Sequence, residues 1–180
     1  MDAFLDLVGE GDPHPSVAHV ADRSGVSHRS VFRYFADRDE MARTSIVRGQ
    51  ERLGPLLRVR IDPDRPLGDR VGALISHRLE LYEAVGSIAR LSRSLAPRQP
   101  IIQAQLAATR AQSRAGLTRV FAAELAGMSS SQAADALAAI DVLLSFESVE
   151  LLRNDQALSP PRVASVLRGT VLALLAKISD

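Results

Sequence analysis

Residues 16–41 read SVAHVADRSGVSHRSVFRYFADRDEM. Ser16 is a residue type that favours the start of a helix, so a short helix is predicted from there. Gly25 lies in the Ser-Gly-Val turn that follows and can adopt the left-handed backbone that other residues resist. Ser27 begins another predicted helix, which runs through Phe35. Two short helices on either side of a glycine turn have the spacing of a helix-turn-helix motif.

The second helix of this motif has one outward face. When Val26, Val31 and Phe35 pack inward against the preceding helix, four side chains point the other way, those of His28, Arg29, Phe32 and Arg33. Arg29 and Arg33 are four residues apart, a spacing at which like charges repel each other. A polyanion relieves that repulsion, and the arginine fork matches the O6 and N7 atoms of guanine. This face therefore predicts contact with double-stranded DNA in the major groove.

Hydroxyl groups and local charge favour the same interpretation. Four hydroxyls around the motif can donate to phosphate oxygens, those of Ser16, Ser27, Ser30 and Tyr34. Between Arg23 and Arg60 there are nine arginines and four acidic residues, a local excess of +5 in a chain whose net charge is +1. The alternative is a solvated Ser- and Arg-rich helix whose hydroxyls only cap the helices. The glycine turn favours DNA contact over that alternative.

Composition excludes several other classes of protein. The 180 residues are 46% hydrophobic and 24% charged, which is typical of globular proteins and not of disordered or collagen-like chains. The absence of cysteine excludes disulfides, thiolate metal sites and cysteine nucleophiles. No apolar run reaches the ~18 residues that a membrane span needs, and the acidic start does not resemble a signal peptide. We therefore expect a soluble, cytoplasmic protein with no membrane partner.

Apolar residues recur every three or four positions along the chain, which predicts an all-α fold of nine helices. Their predicted bounds are 3–10, 16–23, 27–35, 37–54, 67–84, 85–95, 101–125, 131–152 and 162–178. We place a three-helix N-terminal helix-turn-helix domain at residues 1–45 and a C-terminal helical domain at 46–180. The fourth helix is shared between them. Asp37 and Glu40 predict a variant of the capping box at the start of that helix.

Two stretches of sequence within the motif are specific enough to compare with a known family. VAHVADRSGVS at residues 17–27 and SVFRYFADRDEM at residues 30–41 resemble the DNA-binding domain of the Tet repressor family. The resemblance implies that Ser16 and Arg38 hold phosphates and that Tyr34 assists at the DNA backbone or packs beside its neighbour. It also implies that four side chains face the bases, those of His28, Arg29, Ser30 and Arg33.

The sequence departs from the family pattern in two places. Phe32 replaces the usual tyrosine, so this side chain can touch a sugar or a thymine methyl group but cannot donate to phosphate. The first predicted helix begins almost at Met1, whereas the family usually has at least another turn there. A second function therefore stays open, a helical dimeric sensor or protein-interaction module that has lost DNA recognition.

The last two predicted helices are apolar on more than one side. The helix at 131–152 carries two stripes, one of Leu137, Ile140, Leu144 and Leu151 and one of Val142, Phe146 and Val149. A helix of this kind needs more than one partner, and the same pair of helices in a second subunit supplies it most simply. The alternative is a helix wholly buried within one subunit. The resemblance implies the same homodimer, with recognition helices ~34 Å apart on a palindromic site.

The resemblance also implies a cavity in the C-terminal domain for a small-molecule effector that releases a repressor from its operator. Five polar residues are candidates to orient that ligand in a mostly apolar pocket, namely His77, Arg78, Tyr82, Arg90 and Glu147. Each is alternatively a surface or internally satisfied residue. The sequence has no paired metal-binding histidines, no nucleophile elbow and no glycine-rich phosphate loop. We therefore expect no metal, no cofactor and no enzymatic activity.

Overall fold

The computed structural model describes residues 2–12, 14–54 and 56–178. These residues form ten α-helices and no strand, so the predicted all-α fold is confirmed. The helices are α1 (Asp2–Gly9), α2 (Val17–Ser24), α3 (His28–Tyr34), α4 (Arg38–Leu53), α5 (Leu67–Leu95), α6 (Pro100–Val120), α7 (Ala122–Ala126), α8 (Ser130–Leu143), α9 (Phe146–Glu150) and α10 (Pro160–Ile178). A π-helical turn, Leu151–Asp155, follows α9. None of the helices in the described ranges has the length and apolarity to span a bilayer.

One predicted helix break is absent. Helix α5 continues for 29 residues through Gly86, so the predicted boundary between residues 84 and 85 is wrong. A glycine inside a helix costs only about 1 kcal/mol relative to alanine. Apolar packing on both sides outweighs that cost, because Leu81 and Leu91 are both buried. Tertiary contacts therefore hold α5 together where local propensity is weakest.

Two other predicted helices are interrupted. The seventh breaks at Phe121, whose backbone leaves the helical region (φ −108°, ψ 18°) while its ring is fully buried. The eighth breaks before α9, where the Ser145 hydroxyl accepts a hydrogen bond from the backbone amide of Ser148 at 3.1 Å. The first residue of α9, Phe146, is buried as well. In both places the break accompanies the burial of a large aromatic side chain.

The chain divides into two compact units. The first takes the described residues of Met1–Pro55 together with Val85–Thr109. The second takes Leu56–Ala84 together with the described residues of Arg110–Asp180. The division predicted between residues 45 and 46 falls inside α4. The first unit also contains the end of α5 and the start of α6.

The first unit has its own apolar core. It contains Phe4, Val8, Val20, Ala21, Val31, Met41, Ile46, Leu91, Ile102 and Leu106. Outside this core, Glu10 accepts two hydrogen bonds from the Arg23 guanidinium of α2, at 2.7 and 2.5 Å. The Arg23 hydrogen bond lowers the pKa of the Glu10 carboxyl. Helices α1 and α2 thus share an apolar core, and an exposed ion pair joins α2 to the residue that follows α1.

The second unit has a separate core. It contains Val71, Leu74, Leu117, Phe121, Ile140, Leu144, Val163, Leu167, Val171 and Leu175. Of the second predicted stripe, Phe146 and Val149 are buried in this unit, whereas Val142 is 66% exposed. Leu151 and Val166 are also among the exposed large apolar side chains, at 54% and 36%. The described residues of this unit therefore bury most of both stripes and leave a smaller apolar set uncovered.

A buried ion pair ties α5 to α7. Arg70 is 4% exposed, and its guanidinium donates to the Glu124 carboxylate at 3.0 and 2.5 Å. It also donates through Nε to the carbonyl of Arg65 at 2.9 Å and through Nη1 to the carbonyl of Val120. The hydrogen bonds from Arg70 lower the pKa of the Glu124 carboxyl. Every nitrogen atom of the Arg70 guanidinium therefore donates a hydrogen bond.

We predict that Glu124→Gln destabilises the protein by about 3 kcal/mol at pH 7, because it leaves the Arg70 charge buried without its partner. Since the folded-state pKa of Glu124 is lowered, its stabilising effect is complete above the unfolded-state value of about 4.3. That effect is lost as the pH falls through the lower folded-state pKa. Denaturant unfolding at a series of pH values should show the gap between variant and parent closing in acid.

Glu10→Gln is the control for this prediction, because the Glu10–Arg23 pair is exposed. An exposed pair contributes little to stability. Equal losses from both substitutions, or a gap that does not depend on pH, would contradict the assignment of Glu124.

Candidate nucleic-acid interface

The start of α2 is fixed by local hydrogen bonds. Ser16 is its N-cap, and the side chain accepts from the backbone amide of His19 at 3.1 Å. Asp12 accepts from the amide of His14 at 3.0 Å and lies 3.2 Å from Nδ1 of His19. The His14 amide first, and the His19 ring second, lower the pKa of the Asp12 carboxyl. The acidic segment before the motif is thereby tied to α2.

The turn between α2 and α3 has the predicted left-handed backbone. Gly25 has φ 69° and ψ 16°, a conformation that side-chain-bearing residues avoid. Ser27 then caps α3 by accepting from the amide of Ser30 at 3.2 Å, and the two hydroxyl oxygens are 3.0 Å apart. Gly25 therefore ends α2 and Ser27 begins α3, as the sequence predicts.

Helix α3 buries one side chain and exposes the opposite face. Val31 is 4% exposed and is part of the core of the first unit, and Phe35 is half-buried against it. The outward set is exposed as expected, and it consists of His28, Arg29, Phe32 and Arg33. The predicted inward placement of Val26 is wrong, because this residue is 47% exposed. Val26 lies between the turn glycine and the cap, before α3 begins, so helical periodicity does not apply to it.

Arg33 interacts with its sequence neighbour Tyr34. The guanidinium Nη2 of Arg33 donates to the Tyr34 hydroxyl at 3.3 Å, and its central carbon lies 5.1 Å from the ring centroid. Adjacent residues on a helix do not normally face each other, so no sequence rule indicates this pair. Tyr34 is 68% exposed, which does not fit packing in the core beside Phe35. The pair places a cation and an aromatic ring together on the exposed surface.

The start of α4 has the reciprocal caps that the sequence predicts. The Asp37 carboxylate accepts from the amide of Glu40 at 2.7 Å. The Glu40 carboxylate accepts in turn from the amide of Ala36 at 2.6 Å, one residue before the N-cap. Both acids are thus engaged with backbone amides, and Arg38 remains exposed at the first position of the helix.

All nine predicted DNA contacts lie within the first unit. Ser30 is half-buried and the others are exposed: Ser16, Ser27, His28, Arg29, Phe32, Arg33, Tyr34 and Arg38. The hydroxyls of Ser16 and Ser27 act as helix caps. A hydroxyl that accepts from a backbone amide still has a proton to donate, so capping and phosphate contact are compatible.

The five candidate effector contacts are dispersed. Arg90 belongs to the first unit, and the other four belong to the second. Tyr82 donates to the carbonyl of Leu144 at 2.7 Å and packs edge-on against Phe146, at 5.4 Å between centroids. Glu147 is exposed and accepts from Arg110 at 2.8 Å. His77 and Arg78 are treated separately below, because both have buried polar atoms without a partner.

The helices and the glycine turn together define an all-α protein with a helix-turn-helix motif in its first unit. Its fold is similar to the crystal structure of a transcriptional regulator from Rhodococcus sp. Rha1. The TM-score is 0.74, and the match covers 99% of this chain and 95% of that chain at 21% sequence identity. At this identity the likeness shows the fold, which is the helical fold that the resemblance to the Tet repressor family implies. No protein-family model matches the chain, and no curated protein matches it significantly.

We predict that Gly25→Ala destabilises the first unit by about 1 kcal/mol, the usual cost of a left-handed conformation for a residue with a Cβ atom. A Cβ at this position meets nothing within 4 Å, so the cost is conformational and involves no clash. Denaturant unfolding followed by circular dichroism measures it.

Gly9→Ala is the matched control, because Gly9 also has open space around it and lacks a positive φ. This substitution should be neutral or slightly stabilising, since alanine favours helix more than glycine does. If both variants lost the same stability, the left-handed turn would not be the cause.

Proposed function

We propose that this protein is a ligand-responsive transcriptional regulator of the Tet repressor kind, which binds palindromic operator DNA as a homodimer. The observation that carries the proposal is the exposed face of α3, where Arg29 and Arg33 project on the side opposite to the buried Val31. The name of the Rhodococcus protein of similar fold, a transcriptional regulator, supports it. In this proposal the protein is cytoplasmic, represses transcription without catalysing a reaction, and is released by a small effector.

Base recognition is assigned to α3. In the helix-turn-helix arrangement the second helix lies in the major groove with its first residues at the base edges. Arg29 and Arg33 supply the forked donors that fit guanine, while His28 and Ser30 supply shorter polar groups. Phe32, which is 59% exposed, supplies an apolar contact to a thymine methyl group or a sugar.

Phosphate binding is assigned to the residues around α3. The Ser16 hydroxyl can donate a proton outward while it caps α2. The Ser27 and Ser30 hydroxyls share one proton between them and have the other to donate. Arg38 is exposed at the start of α4, and Tyr34 is exposed at the end of α3. The excess of five positive charges between residues 23 and 60 attracts the DNA backbone in this region.

Dimerisation is assigned to the last two helical regions of the chain. Val142 on α8, Leu151 in the π-helical turn and Val166 on α10 remain exposed in one chain. Since α8 and α10 pack against each other, a second copy can cover these side chains with the same pair of helices. A dimer of this kind presents two copies of α3 to successive major grooves ~34 Å apart.

We predict distinct effects for the two kinds of arginine. Arg33→Ala should weaken binding to the preferred site by ~1–3 kcal/mol and relax specificity, because it removes a base contact. Arg38→Ala should weaken all sequences about equally and reduce the salt slope, because it removes a phosphate contact. The preferred site is first selected from random DNA, and affinities are then measured by fluorescence anisotropy at several salt concentrations.

Arg119→Ala is the control for the loss of one positive charge, because Arg119 is an exposed arginine of the second unit. It should change neither specificity nor affinity appreciably. If selection from random DNA yields no sequence preference, the proposal fails, and the alternative of a helical dimeric sensor that has lost DNA recognition is favoured.

We predict that Val142→Asp converts the dimer into a monomer without unfolding it, because a largely exposed side chain tolerates a charge in the single chain but not in an apolar interface. Sedimentation velocity should show the halved mass. Ile101→Asp is the control, because it changes an exposed apolar residue of the first unit, and it should leave the assembly unchanged. A monomeric parent protein would contradict this part of the proposal.

A further inference from the structure

Helix α5 carries a second buried arginine, and it lacks the partners of the first. Arg78 is 4% exposed, and its Nη1 donates to the hydroxyl of Ser113 on α6 at 2.9 Å. The Nε of Arg78 is buried without a hydrogen-bond partner. No carboxylate of the described residues forms an ion pair with it. Burying a cation with a single neutral hydrogen-bond partner costs free energy. An anion that pairs with the cation would recover part of that free energy, which favours binding of the anion.

Arg70, in the same helix, is a buried arginine whose hydrogen-bonding nitrogen atoms all have partners. It lies eight residues before Arg78 and is equally buried, at 4%. Its guanidinium binds both oxygens of Glu124, and its Nε donates to a backbone carbonyl. Arg78 has the same charge and the same burial, with Nε unused. The difference between the two residues is therefore an absent carboxylate.

The sequence neighbour of Arg78 also has an unpaired polar atom, although adjacent helix residues do not normally face each other. His77 has a buried Nδ1 with no hydrogen-bond partner. Burial, and then the charge of Arg78, lower the pKa of His77, although the backbone of Leu56 and the carboxylate of Glu80 oppose the effect. The imidazole is therefore mostly uncharged at pH 7 and adds no second positive charge beside Arg78.

Most of the side chains one helical turn from Arg78 along α5 are apolar and buried. Leu74 and Ile75 lie one helical turn before Arg78, and Leu81 lies one turn after it; all three are buried. On α6, Gly116 lies one turn beyond Ser113, and a Cβ there would be 3.5 Å from the side chain of Val59. The segment before α5 thus lies against this part of α6 and brings a further apolar side chain to the region.

From this arrangement we propose that the second unit binds a small organic acid, whose carboxylate pairs with Nε and a terminal nitrogen of Arg78. The Ser113 hydroxyl accepts from Arg78 and has its own proton to donate to the same carboxylate. The buried apolar side chains one helical turn from Arg78 favour an acid with a hydrocarbon body. The identification of this acid as the effector rests on the proposed function, whereas the binding site itself does not.

Isothermal titration calorimetry on the whole protein, without DNA, tests the site. The probes are octanoate and benzoate, each paired with its uncharged amide, and inorganic phosphate. We expect at least one acid to bind and its amide to bind about tenfold more weakly or not at all, because the amide lacks the charge-assisted hydrogen bonds to Arg78. Arg78→Gln should weaken the acid by a similar factor, and the exposed control Arg119→Gln should not.

Several results would overturn the proposal. These are equal binding of acid and amide, unchanged acid binding to Arg78→Gln, no heat from either acid, or binding of phosphate in preference to both acids. Thermal unfolding of the ligand-free protein gives an independent reading. Arg78→Met should be neutral or stabilising, whereas Arg70→Met should lower the melting temperature, because it leaves Glu124 without its partner. Equal losses from both would make Arg78 a structural residue.

The effector role has its own test. Adding the bound acid to the complex with the selected DNA should lower DNA affinity in the parent protein and leave it unchanged in Arg78→Gln. If the acid binds but DNA affinity does not change, the binding site is supported and the effector role is contradicted. If no DNA complex forms, the proposed function fails while the calorimetric result is unaffected.

Discussion

The left-handed backbone at Gly25 is the constraint on which the proposed DNA surface depends. It lets α3 follow α2 after only three intervening residues, with Ser27 positioned to cap it. Because α3 is only seven residues long, one buried side chain, Val31, is enough to fix which face turns outward. The exposure of the cationic side chains on that face therefore depends on the turn at Gly25 and on the packing of Val31, with Phe35 at the end of the helix.

The parts of the fold that the sequence predicts well are those determined by neighbours along the chain. The caps at Ser16, Ser27 and Asp37 each involve a residue and an amide three positions later, so their chemistry is local. The continuity of α5 at Gly86 and the break at Phe121 are decided by packing between distant segments. Helical periodicity carries no information about which of those contacts the folded chain makes, and both predictions were wrong for that reason.

The same distinction applies to the candidate sites. Periodicity placed His28, Arg29, Phe32 and Arg33 on an exposed face, but it could not apply to Val26 in the turn or indicate the contact between Arg33 and Tyr34. The two buried arginines of α5 look alike in the sequence. Their partners, Glu124 and Ser113, are 54 and 35 residues away, so only the folded chain distinguishes a satisfied cation from an unsatisfied one.

The exposed ion pair between Glu10 and Arg23 and the apolar core of the first unit respond differently to salt. Mobile ions screen the exposed pair, so added salt weakens the attraction between the two side chains. The buried contacts of Phe4, Val8 and Val20 involve no charge and are not screened. The packing of α1 on α2 is therefore expected to persist at ionic strengths that remove the ion pair.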